Sequence, residues 1–305
     1  MRYLVAAVPN DPELASWLGK KGSVNGITFY NRREGETVLT ILAPSNLEEK
    51  FYAIGEILTV CDVAVISTKN LDSTFGEAVI AASLLKKRVL ITKENDVSGI
   101  VGKLGLDYEL VEKEDILQKL DTIAQAKSAS GDPVIDVDKS FPVKGVGTVL
   151  LGIALSGVIK KHDELVTQHG KRLQVRSIQV QDEDCDSATA GARVGLAVKG
   201  IDEKEVEKGE VLAKERIGMV EELTAKLSFN PLGGEFSEDT QYTMVSGFGV
   251  APCKISKNGN DYKIRLGKPM QVCSGFVILR DKKPRVLCAG NEGFTLETES
   301  QHLPK

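Results

Sequence analysis

The stretch Val8-Pro9-Asn10-Asp11-Pro12-Glu13 follows an apolar run, residues 2–8, and leads into a helical pattern. A strand, a turn and a helix N-terminus in that order make a natural phosphate cradle, because backbone N–H groups converge there. Such cradles are built from glycine, lysine and serine or threonine. Here Pro9 and Pro12 have no N–H to donate, and Asp11 and Glu13 repel a polyanion. Gly19-Lys20-Lys21-Gly22-Ser23 holds suitable residue types in the wrong order, eleven residues beyond the strand, and reads as the end of the helix.

A second set of candidates is charged. Asp182-Glu183-Asp184-Cys185-Asp186 puts four carboxylates into five residues. Such a loop repels phosphate and favours a cationic group or a basic partner; otherwise it is a solvated acidic turn. Basic residues gather at Lys160-Lys161, at Lys171-Arg172 with Arg176, and at Arg280, Lys282-Lys283 and Arg285. Each could touch RNA or could be a solvated turn. The net charge of −4 argues against a dedicated nucleic-acid module, since phosphate neutralisation drives that affinity. At 5% aromatic content, no stacking platform is visible. The five cysteines are odd in number and lack C-x-x-C spacing, and His162, His169 and His302 are scattered, which excludes a disulfide framework or a zinc site. No metal and no cofactor are expected. No apolar run is long enough to cross a membrane, and the start lacks a secretory cleavage pattern, so a cytoplasmic address is expected.

The elements that must carry these residues fall into two styles. Over residues 1–127, strand patterns at 2–8, 26–31, 36–43, 62–67, 88–92 and 107–111 alternate with helical ones at 12–21, 46–59, 73–87, 96–105 and 114–127. The helix at 73–87 has a serine cap and a basic last turn. Six strands, five helices and one hairpin predict a doubly wound α/β unit. SASGDP at 128–133 reads as a linker. Residues 134–215 and 216–305 hold short apolar runs punctuated by glycine, with one brief helical stretch at 202–209, and predict two antiparallel β-barrels.

The elements Gly145–Val149 (G-x-G-T-V), Gly157–Glu164 (G-x-I-x-x-x-D-E), Ala190–Gly195 (A-G-x-x-V-G) and Glu207–Lys214 (E-K-G-x-V-L-A-K) run in register over about 80 residues. This stretch resembles the second domain of translational GTPases of the elongation factor Tu type. Residues 269–293 are similar to the third domain of the selenocysteine-specific elongation factor. Gly145 and Gly147 suit close backbone approach. The resemblance implies a front GTPase domain, and the family's motifs can be laid on this chain. The phosphate loop falls on the turn with Asn10 and Asp11. The D-x-x-G motif becomes Ala43-Pro44-Ser45-Asn46. The guanine-reading N-K-x-D becomes Thr92-Lys93-Glu94-Asn95, and Gly26-Ile27-Thr28 matches the segment that positions magnesium through threonine.

Charge-assisted hydrogen bonds contribute roughly 1.5–3 kcal/mol each. Losing four removes roughly 6–12 kcal/mol, while micromolar affinity amounts to about 8 kcal/mol. The expectation is a pseudo-GTPase with no useful GTP binding and no hydrolysis. Carrying the family's aminoacyl-tRNA contacts across puts a glutamate position at Gln179 and an asparagine position at Arg193. The expected function is therefore that of an elongation-factor-like protein binding tRNA, the ribosome or a protein translation component. Two alternatives are a regulatory protein-interaction module and a GTP-binding factor with an unorthodox site.

Overall fold

The computed structural model describes residues 1–291 and the backbone of 295–298; Glu292, Gly293 and His302 lie outside the described residues. The front part runs β1 (Arg2–Ala7), α1 (Pro12–Leu18), β2 (Lys20–Val24), β3 (Ile27–Glu34), β4 (Thr37–Pro44), α2 (Ala53–Val60), β5 (Val63–Ile66), α3 (Ser73–Leu84), β6 (Arg88–Thr92), α4 (Ser98–Val101), β7 (Tyr108–Val111) and α5 (Ile116–Ala126). These strands form one sheet in the order β2-β3-β4-β1-β5-β6-β7, parallel from β4 to β7 and antiparallel through β2-β3-β4. Crossover helices cover both faces, which is why β4 and β5 are buried along their whole length.

Three details differ from the sequence reading. Lys20–Val24 is a seventh, edge strand paired with β3, not a helix end; all five residues are exposed, so no apolar alternation marks it. Helix α2 starts at Ala53 rather than 46, and all eight of its residues are buried. It lies between the mixed sheet and the last barrel, so it has two apolar faces instead of one stripe. The cap of α3 is Asp72, whose carboxylate accepts from the N–H groups of Thr74 and Phe75, and the helix stops at Leu84, short of the lysines.

The next strands are β8 (Val134–Val143), β9 (Gly147–Ser156), β10 (Val158–Lys160), β11 (Glu164–Val166), β12 (Arg172–Val180), β13 (Glu183–Cys185), β14 (Ser187–Thr189), β15 (Arg193–Lys199) and β16 (Val211–Ala213). The sheet order is β11-β16-β8-β9-β15-β12-β13, and a further β11–β12 pairing closes it into a barrel; β10 and β14 form a separate ribbon. Gly145 and Gly147 do not sit at a close approach. A side chain at Gly145 would meet nothing within 4 Å; what both positions require is positive φ, at 80° and 100°, in the turn between β8 and β9. The brief helical stretch near 202 is a single 3₁₀ turn, Glu203–Glu205.

The last strands are β17 (Val220–Ala225), β18 (Ser228–Phe229), β19 (Tyr242–Ser246), β20 (Gly249–Asn258), β21 (Asp261–Met270), β22 (Phe276–Leu279), β23 (Val286–Gly290) and β24 (Thr295–Thr298), in an antiparallel sheet ordered β18-β23-β22-β19-β20-β21-β17-β24. The architecture is thus a doubly wound α/β unit followed by two antiparallel β-barrels. The apolar core beneath α2 and α3 runs without a break into Val245, Phe248, Val277 and Val286 of the last barrel. Among the described residues no helix is long and apolar enough to cross a membrane.

Candidate functional site

The loops beyond the C-terminal ends of the parallel strands are where an α/β unit of this type presents a ligand. Here they are tied to one another. Asn10 donates its side-chain amide to Ser67 O (2.7 Å) and accepts from the Ser67 N–H (3.1 Å), joining the loop after β1 to the loop after β5. Asp11 caps α1 by accepting from the Leu14 N–H at 2.9 Å, and Glu13 pairs with Lys69 at 2.5 Å. Asn95 donates through its backbone N–H to Thr68 Oγ1 (3.0 Å) and through its side chain to Thr68 O (2.8 Å), while the Thr68 N–H donates to Thr92 Oγ1 at 2.8 Å. Glu94 accepts from the Thr92 and Thr68 hydroxyls. Burial pushes the Glu94 carboxyl up, but the hydrogen bonds from Thr92, its own backbone and Thr68 outweigh that and hold it below the usual carboxylate range. Lys93 is engaged with Glu112 at 3.1 Å, and Thr28 with Ser45 Oγ at 2.9 Å. Asn10, Thr28, Lys93, Glu94 and Asn95 thus all have partners within the protein.

A cleft of about 470 Å³ opens instead between the β2–β3 edge and the closed barrel. Gly22, Ser23 and Asn31 line one wall; Phe141, Val149, Leu151, Gln179 and Arg193 line the other. Gln179 faces Gly195 across the β12–β15 pair and donates to Asp184 Oδ1 at 3.0 Å. The Arg193 guanidinium bonds Ser23 Oγ (3.0 Å) and Asp138 Oδ2 (2.7 Å) and lies 3.7 Å from the centre of the Phe29 ring. Arg193 is thereby a strut between the front unit and the barrel, stacked and paired on the cleft wall. Arg176 is not among the lining residues; it is exposed and donates at 3.3 Å to the backbone oxygen of Val146, which is one of them. The floor is apolar and the rim polar, which suits a flat ligand with hydrogen-bonding edges.

Two of the four carboxylates of the acidic hairpin beside this cleft are paired with cations. Glu183 receives Arg33 of the front unit at 2.7 Å, Asp184 receives Gln179, and Asp186 pairs with Lys161 at 2.8 Å. The remaining carboxylate, Asp182, faces the cleft. Gln179 and Arg193 therefore share the cleft; Arg176 lies outside its lining, and Lys160 ends the β10–β14 ribbon, with Lys161 next to it. Arg280 stands apart on the last barrel, donating to Gly234 O at 3.2 Å. Its neighbours Lys283 and Arg285 dock onto α3 through Ser73 (2.7 Å) and Glu77 (3.3 Å). Sequence reasoning did not find Asn31, Phe141 or the Phe29 ring beneath Arg193; they carry no motif and gain meaning only where the β2–β3 edge meets the barrel.

Behind the cleft lies a charged junction of all three parts. Glu56 of α2, 0% exposed, forms an ion pair with Lys208. Asp136 is 1% exposed; its Oδ2 accepts from the Phe248 N–H at 2.9 Å and its Oδ1 has no partner among the described residues. Burial pushes the Asp136 carboxyl up to about 8, with Glu56 and Asp138 adding to the effect and the Phe248 N–H and Lys208 opposing it. Burial likewise raises Asp138 against the pull of Arg193, and raises Glu56 against that of Lys208. Gly247 has φ of 59°, and a Cβ there would fall 1.8 Å from Asp136 Oδ2.

Residues 147–213 match the family model of elongation factor Tu domain 2. An uncharacterized protein of Methanocaldococcus jannaschii is 28% identical over 263 residues, covering 82% of this chain and 85% of that protein. The selenocysteine-specific elongation factor of the same organism is 27% identical over 184 residues, covering 57% of this chain but only 39% of that factor. The solved structure of a bacterial selenocysteine-specific elongation factor, EF-Sec, superposes with a TM-score of 0.78 at 19% identity over 95% of this chain and 58% of that one, a likeness of fold. The second barrel thus matches elongation factor Tu domain 2, and the chain is similar to selenocysteine-specific elongation factors of the translational GTPase superfamily, in sequence over 57% of its length and in fold over 95%.

Proposed function

We propose that this elongation-factor-like chain works without a nucleotide switch and holds the aminoacyl end of a tRNA in the cleft beside Gln179. On this reading residues 1–127 serve as a scaffold, and residues 134–215 and 216–305 are the two barrels it braces. The observation that carries the proposal is the contrast between two places. The loops expected to hold GTP are spent on one another through Asn10–Ser67 and Asn95–Thr68, and the cleft between scaffold and barrel is open. A flexible acceptor end offers the flat, hydrogen-bonding surface that an apolar floor with Asn31, Ser177 and Gln179 around it would take. A second reading, a protein-interaction module, is favoured by the acidic hairpin at 182–186.

Two titrations test the proposal. Calorimetry with GTP and magnesium should give no heat at micromolar ligand; a micromolar dissociation constant would refute the loss of the switch. Filter binding with charged and uncharged tRNA should show binding that Gln179→Ala weakens several-fold. Failure to bind either RNA, together with recovery of proteins after nuclease treatment, would transfer the case to the interaction module.

A further inference from the structure

The sequence shows no stacking platform, yet the fold assembles three rings at one corner of the last barrel. Phe229 of β18, Tyr262 of β21 and Phe236 of the connecting loop lie with centroids 5.0–5.6 Å apart. They line a cavity of about 500 Å³ together with Glu235, Glu238 and Lys257. We infer that this pocket binds an arginine or lysine side chain from a basic segment of a protein partner.

Four observations converge on it. The loop bearing Phe236 is held in place. Asn230 donates to Val286 O at 2.8 Å, Arg280 to Gly234 O at 3.2 Å, the Ser237 N–H to Tyr242 Oη at 2.8 Å, and the Lys257 N–H to Glu238 Oε1 at 2.9 Å. The pocket is thus preorganised. Elsewhere the rings of Trp17, Phe29, Phe51, Phe141 and Phe248 each have a lysine or arginine of the chain at 3.7–5.9 Å. Among the described residues none of these three rings has such a cation. Glu235 and Glu238 of the lining and the neighbouring Asp239 are all exposed and outnumber the one cation of the lining, the exposed Lys257, so the carboxylates and the ring faces together give a net field that favours a cationic ligand. Beside them Leu232 is 67% exposed, the highest value among the large apolar side chains of the described residues. It offers an anchor to a peptide that a small free cation would not use. A nucleic-acid strand would gain from the rings but would bring its phosphates against the carboxylates.

This site is on a different barrel from the cleft and stands or falls separately. The test titrates the full chain with a hexa-arginine peptide and with its neutral citrulline counterpart, reading affinity and the ring resonances of Phe229, Phe236 and Tyr262. The arginine peptide should bind roughly tenfold more tightly than the citrulline one and shift those resonances. Glu235→Lys, an exposed change that leaves the fold intact, should weaken it by a similar factor, as should Phe236→Leu. Equal binding of the two peptides, affinity unchanged within about twofold by Glu235→Lys, or a preference for a uridine oligomer at the same rings would each overturn the proposal.

Discussion

The Asp136→Asn substitution gives the sharpest test of the buried junction. Asp136 faces the Phe248 N–H, Glu56 of α2, Lys208 and Asp138, and its carboxyl is pushed up to about 8 from an ordinary 3.8. The folded protein therefore keeps a proton that the unfolded chain has lost anywhere between about pH 4 and pH 8. The sign follows directly: the stability contributed by the neutral acid is full below pH 4 and is lost as pH rises through 8. Each pH unit in that window costs up to about 1.4 kcal/mol. Between pH 5 and pH 8 the wild-type chain should lose on the order of 2–4 kcal/mol relative to the asparagine variant, which has the same shape and cannot ionise. Asparagine can still accept from Phe248, so at pH 5 the two proteins should agree within about 1 kcal/mol. Urea denaturation of both proteins at pH 5, 6, 7 and 8 measures this difference, and the shared response of Glu56 and Asp138 largely cancels in it. Parallel curves across that range would show that Asp136 is ionised in the fold and would refute the reasoning.

Three further substitutions probe the same architecture. Lys208→Met strands the Glu56 carboxylate, which is 0% exposed, and should cost about 3 kcal/mol by chemical denaturation at neutral pH. Gly247→Ala drives a Cβ to 1.8 Å from Asp136 Oδ2 at a positive φ, so a loss of roughly 3 kcal/mol or more is expected, seen as a lowered Tm. Asn10→Ala breaks both bonds to Ser67 and should cost about 1–2 kcal/mol, with hydrogen exchange accelerated in the loops after β1 and β5.

What could be read in advance was whatever is encoded locally. The alternating periods of residues 1–127 place nearly every strand of the mixed sheet, and the glycine-punctuated motifs at 145–214 place the closed barrel. The edge strand Lys20–Val24 escaped because none of its side chains is buried, and burial is what periodicity reports. Glu56, Asp136 and Asp138 escaped for the opposite reason. A charged residue in a sequence reads as solvent-facing, and only the meeting of α2, β8 and the Gly247 turn encloses these three. The acidic hairpin looked like an unbalanced charge because its cation, Arg33, is 150 residues away along the chain. Gln179 and Arg193 could be named from the register of the barrel motifs; the engagement of Arg193 by Phe29 and Ser23 could not.

Helix α2 has a bearing on timing. All eight of its residues are enclosed, from Ala53 to Val60, so sliding it would uncover apolar surface on two sides at once. If the proposed loss of the switch holds, a factor with its scaffold fixed in this way has no triphosphate to spend and no chemical clock. On the proposed reading its cargo leaves by simple dissociation, and only concentration and competing acceptors set the direction of traffic. Such a carrier must grip modestly, because no downstream step exists to pry its fingers open.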